Sequence, residues 1–138
     1  MRQVLLALAI FAATGSPQAG DSVYSTNEIA ALEQLAQRDN FQPSALYTGV
    51  RNPALRARLN SNIHDCVREA ITAARKGATS DEIVALIKKS IWHVPRDDLE
   101  TEDAEHYALG YEAILDALEI ESSNGVLNNW MYGFDVEA

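Results

Sequence analysis

A chain of 138 residues in which 47% are hydrophobic has the size of one domain with one core, since a single core serves roughly 100 to 200 residues. Its one cysteine, Cys66, excludes an intrachain disulfide, so packing alone must hold the fold. The formal net charge of −9 is unevenly spread, with 12 acids and no Lys or Arg over residues 97–138 against 8 acids and 10 bases over residues 20–96; this argues against a nucleic-acid partner and allows a cationic protein.

Taken in chain order, Arg2, the apolar run Val4 to Ala13 and the small or polar residues Thr14 to Ala19 make the three-part pattern of a secretory signal. The expected division is therefore a signal peptide over residues 1–19 and a single helical domain over residues 20–138. Pro17 would stand three residues before a cut after Ala19, which leaves the cleavage point open. The apolar run falls short of the roughly 20 residues that span a bilayer, and no later segment is longer. No cysteine follows it to accept a lipid. A soluble periplasmic or secreted bacterial protein without a membrane anchor is expected.

Ser25 and Glu28 offer a capping box for a first helix that carries Ile29, Leu32, Leu35 and Ala36 on one face. Asp39 to Pro43 stops it, and Tyr47-Thr48-Gly49 continues a connection whose aromatics should pin it to the core. Asn52-Pro53 pairs a good cap with a residue suited to the first helical position, and a stripe then runs through Leu55, Leu59, Ile63, Cys66, Val67, Ala70, Ile71 and Ala74 until Gly77 closes the helix. Thr79 and Glu82 open a third helix with Ile83, Leu86, Ile87 and Ile91 inward, and Pro95 ends it. Thr101 is the expected cap of a last long helix that buries Ala104, Tyr107, Ala108, Tyr111, Ile114, Leu115 and Leu118 behind an acidic outer face. Ser122 to Gly125 breaks that pattern, and Val126 to Phe134 forms a dense aromatic closing segment, expected to dock as a short helix or turn. The expected fold class is all-α, a compact array of about four helices with a docked aromatic C-terminal segment.

The run Glu121 to Phe134, read as ESSNGVLNNWMYGF, together with Phe41-Gln42-Pro43-Ser44-Ala45-Leu46-Tyr47, resembles a bacterial domain-of-unknown-function family, number 4844, over about Ile29 to Phe134. The resemblance implies a small helical domain of a kind often preceded by an export signal. It implies no activity and transfers no functional residue.

Chemistry is sparse. Asp103 and His106, with Glu102 four positions before the histidine, have a helical spacing that could present ligands to a metal, and His64, Asp65 and Glu69 form the one other cluster. The plainer reading is a solvated acidic helix face. Asp98, Glu100 and Glu102 alternate like the start of a calcium loop, but the sixth position is Asp103 where glycine is needed and the twelfth is Leu109. Cys66 lies on the apolar stripe of its helix, which argues for an inert core thiol rather than a nucleophile served by His64 or His93. Ser90 and His93 share a helical face without any hydrolase motif around them. Nothing in the chain implies a cofactor. Trp130, Tyr132 and Phe134 either seal the core or anchor a partner, and sealing is preferred for a small helical array.

These features favour a non-enzymatic binding module, of inhibitor or immunity type, that meets a basic protein through Glu102, Asp103 and Glu105, with Trp130 or Tyr132 as the tight contact. Two alternatives stay open. One is a metal-assisted hydrolase built on Asp103 and His106. The other is a homo-oligomer in which Arg56, Arg58, Arg68, Arg75 and Lys76 of one subunit face the acidic helix of the next.

Overall fold

In a computed structural model that describes residues 23–133, the first three helices start at capping residues. The expected signal segment, residues 1–19, and Phe134 lie outside the described residues. Helix α1, Thr26–Leu35, opens on a reciprocal box: the Glu28 amide donates to Ser25 Oγ at 3.0 Å and the Ser25 amide to Glu28 Oε1 at 2.8 Å. Helix α2, Pro53–Arg75, is capped by Asn52 Oδ1, which accepts from the amides of Ala54 and Leu55. It closes at Gly77, whose φ of +83° is the left-handed turn that glycine adopts without steric penalty. Helix α3, Ser80–Ile91, repeats the reciprocal box with Thr79 and Glu82.

Helix α4, Thr101–Ala117, departs from the expectation at its first turn. A 3-10 turn at Arg96–Asp98 delivers an extended backbone at Leu99 and Glu100, so Glu100 takes the cap position with no side-chain hydrogen bond and Thr101 is already helical. The Thr101 hydroxyl instead accepts from Arg96 Nη2 at 3.4 Å. The last helix, α5, Val126–Tyr132, is the docked form of the aromatic closing segment. Among the described residues no helix is long and apolar enough to cross a membrane.

Helix α2 is the axis of the array, packing against α1, α3 and α4, while α5 closes one end by lying on α3, α4 and the 3-10 turn. Leu59, Ile63, Val67 and Ala70 of α2 meet Ile83, Ile87 and Ile91 of α3 and Tyr107, Tyr111 and Ile114 of α4 in one buried core. Gly110 permits the close approach of α4, because a Cβ there would stand 2.5 Å from Ile63 Cδ1. Polar groups within this core pair with one another, as burial requires. Tyr111 donates to Tyr107 Oη at 3.1 Å, Ser90 Oγ lies 2.7 Å from Tyr111 Oη, and Asn62 Nδ2 donates to Tyr107 Oη at 3.3 Å.

The connection between α1 and α2 is irregular yet anchored, with Phe41 fully buried and Tyr47 and Val50 also buried. Asp39 organises its entry by accepting from the Phe41 amide and from Asn60 Nδ2, both at 3.0 Å, and by pairing with Arg56. Burial alone would raise the Asp39 carboxyl, but hydrogen bonds from Asn60, Arg56 and the Phe41 amide outweigh it and hold the group below the usual carboxylate range.

Candidate functional site

Because Ala104, Tyr107, Tyr111, Ile114 and Leu115 of α4 point into the core, the opposite side of the helix is fixed by its period. That side carries Glu102, Glu105, Leu109, Glu112 and Asp116 at steps of three and four, and all five are exposed. Leu109, 52% exposed, is the single apolar side chain in an otherwise anionic row.

Helix α5 turns this row into the wall of a groove. A hollow of about 360 Å³ lies between Glu105, Leu109 and Glu112 on one side and Leu127, Met131 and Tyr132 on the other. A second hollow of about 290 Å³ adjoins it through Glu112, Leu127 and Asn128, and extends past Asp116 to Glu121. Four carboxylates thus line the groove, with no Lys or Arg among its walls. Of the four arginines of α2, Arg56 pairs with Asp39, Arg68 with Asp65 on its own helix and Arg75 with Glu33 of α1, while Arg58 donates to the His93 carbonyl at 3.4 Å.

The structure divides the residues singled out in the sequence. Glu102 and Glu105 lie on the exposed row, and Tyr132, 71% exposed, stands on the opposite wall. Asp103 does not join the acidic surface: it is 8% exposed and accepts a hydrogen bond from Tyr47 Oη at 2.7 Å. Trp130 is fully buried, donates from Nε1 to the Val94 carbonyl at 2.8 Å and packs against Tyr107 with ring centroids 5.4 Å apart. It seals the core and offers no surface to a partner.

The same tyrosine engages both residues of the candidate metal pair. The Tyr47 ring stacks on His106 at a centroid separation of 3.7 Å while its hydroxyl reaches Asp103, and His106 Nδ1 lies 2.9 Å from the Glu102 carbonyl. Burial, followed by the Asp103 hydrogen bond and charge, raises the Tyr47 phenol well above its ordinary value, which keeps it a donor to the carboxylate. Among the described residues no group of three or more His, Cys, Asp or Glu side chains is placed to hold a metal ion. Through Tyr47 the pair fastens the α1–α2 connection to the start of α4.

Cys66 is almost fully buried, and burial pushes its thiol up from 9.0 to about 12, the condition of an inert core cysteine. Ser90 is held by Tyr111 and by the Asn62 carbonyl, to which its hydroxyl donates at 3.2 Å. Neither side chain is poised as a nucleophile. The residue that sequence reasoning passed over is Leu109, whose signal was its place at the one gap in the acidic three-and-four repeat.

The sequence profile of the family described as Domain of unknown function (DUF4844) matches residues 23–135. The chain is also similar to the solved structure of a DUF3571 family protein from Acinetobacter baumannii AYE, with 37% identity and a TM-score of 0.72 over 77% of this chain and 89% of that one. No curated protein matches the chain.

Proposed function

The chain belongs to the DUF4844 family, whose description assigns no activity, and we propose that it is a non-enzymatic binding module acting outside the cytoplasm. In this reading it is of inhibitor or immunity type and meets a basic protein across the outer face of α4. The observation that carries the reading is the groove between α4 and α5, whose walls hold Glu105, Glu112, Asp116 and Glu121 and no cationic side chain. A surface of one sign speeds the encounter with a partner of the other, and the exposed apolar side chains within it supply the short-range contact that slows dissociation. Engagement of Asp103 and His106 by Tyr47 gives the metal-assisted hydrolase no comparable support. Export rests on the three-part pattern of residues 1–19 and is tested by N-terminal sequencing of the protein recovered from a periplasmic fraction.

Binding is tested by titrating the purified protein with a cationic and an anionic protein of similar size at low and high salt. The cationic one should bind, and its affinity should fall as the screening length shrinks from about 10 Å at 0.1 M salt to about 3 Å at 1 M. Replacing Glu102, Glu105 and Glu112 together by Gln should remove the salt-dependent part. Equal binding by the neutralised and native proteins would sink the reading.

A further inference from the structure

Resting on that reading, we infer that the partner element is an amphipathic cationic helix, seated lengthwise in the groove between α4 and α5. One of its apolar side chains enters between Leu109 and Tyr132, and its Lys or Arg side chains at steps of three and four meet the carboxylates of α4. Three observations on the surface lead to this occupant.

The first is periodicity. Glu102, Glu105, Glu112 and Asp116 lie along nearly four turns of α4, with Leu109 between the two pairs. Their rows therefore recur with the helix pitch of about 5.4 Å. A helix laid alongside repeats its own side chains at that pitch, whereas an extended strand repeats each face at about twice its rise of 3.3 Å per residue and drifts out of step. The second is the apolar centre. The large hydrophobic residues that stand well exposed among the described residues are Val23, Leu46, Leu109 and Tyr132, and two of the four face each other across this one groove. Two antiparallel or crossed helices enclosing an apolar seam are the usual seat of a third. The third is the backbone of the walls: both α4 and α5 are helices, so they offer no strand edge to which an extended peptide could add.

Charge selects a foreign segment over a second copy. Among the described helices α2 has the most arginines, Arg56, Arg58, Arg68 and Arg75, but they fall at steps of two, ten and seven residues. A second copy therefore presents no described helical face on which cations recur at the steps of three and four that the carboxylates of α4 follow. An anionic lipid surface is repelled by the same carboxylates.

The test compares two synthetic peptides of about 15 residues, the length that spans four turns. Both have the same composition, rich in Lys with a few Leu. One places Lys at steps of three and four around a central Leu on one helical face, and the other is scrambled so that no such face exists. Calorimetric titration gives affinity, and far-ultraviolet circular dichroism reports helix formed on binding. The patterned peptide should bind about ten-fold more tightly than the scrambled one and gain helix, the margin expected from burying one apolar side chain. Leu109→Ser and Tyr132→Ser, both at exposed positions, should erase that margin while leaving the weak salt-sensitive attraction common to both peptides. Equal affinity for the two peptides overturns the helical occupant and leaves the proposed function standing. Cationic proteins that bind while neither peptide does have the same effect. Failure of every cationic probe overturns the proposed function itself. A salt-sensitive dimer in sedimentation that Glu105→Gln and Glu112→Gln dissolve would make the occupant a second copy and overturn the foreign helix.

Discussion

Trp130 couples a large apolar surface to one polar obligation, since its indole is fully buried and its Nε1 donates to the Val94 carbonyl at 2.8 Å. Trp130→Ala should lower the unfolding free energy by about 3 to 5 kcal/mol, as large-to-small changes in cores do. Trp130→Phe should lose less, about 1 to 3 kcal/mol, mainly because the Val94 carbonyl is left unpaired. Urea unfolding of the two variants checks both values, and a Phe variant as stable as the native protein would show that the hydrogen bond contributes nothing net. Cys66 carries a pH consequence. Below its ordinary 9.0 the thiol is protonated whether the chain is folded or not; between 9.0 and about 12 the unfolded chain releases the proton and the folded one keeps it. A group whose folded pKa is raised has its stabilising effect fully present below the unfolded value and loses it as pH climbs. Stability should thus decline on the alkaline side of 9.0, and the urea midpoint of Cys66→Ala should decline less steeply over the same range. Tyr107 and Tyr111, also raised chiefly by burial, act in the same direction at higher pH and set the slope that remains in the variant.

Among the elements, α4 shows where local rules yield to packing. Gly110 sits mid-helix, where alanine would ordinarily gain about 0.5 to 1 kcal/mol. Here the added methyl would meet Ile63 Cδ1 at 2.5 Å and Asn40 Oδ1 at 3.1 Å, and Ile63 is itself buried in the core. Overpacking of that kind costs roughly 1 to 3 kcal/mol, so Gly110→Ala should destabilise by about 1 kcal/mol in a denaturation curve. A gain in stability would mean that Ile63 turns away freely. The contrast with the capping boxes explains what the sequence made legible. Ser25 with Glu28 and Thr79 with Glu82 act within one helical turn, so four residues suffice to read them. The start of α4 depends on dihedrals set by the preceding 3-10 turn, and residue type at Thr101 could not reveal them. Asp103 lies on the same row as Tyr107 and Gly110, and a carboxylate on a buried row needs a partner. That partner is Tyr47, 56 positions away in the chain, beyond the reach of any spacing argument. The closing aromatics were legible as a docked segment because their density has few other uses in a small helical array. The groove was not, since it exists only through the way α5 lies across α4.

At the scale of the whole molecule, charge is segregated: the arginine pairs of α2 are made with Asp39, Asp65 and Glu33, while Glu102, Glu105, Glu112 and Asp116 crowd one exposed face of α4. Crowded like charges disfavour the compact state, and salt relieves them. The thermal midpoint should therefore rise with sodium chloride up to about 0.5 M, and the rise should be smaller in a variant with Glu105 and Glu112 changed to Gln. A midpoint that falls with salt would mean that attractive pairs outweigh the repulsion on this face. The same α5 that forms the groove also has a temporal consequence. Trp130 is the plug between α3, the 3-10 turn and α4, yet it follows all of them in the polypeptide, so synthesis presents an open-ended helical assembly until residues 126–132 have left the ribosome. Until then the assembly stays unlatched, with one end of its core open to a protease.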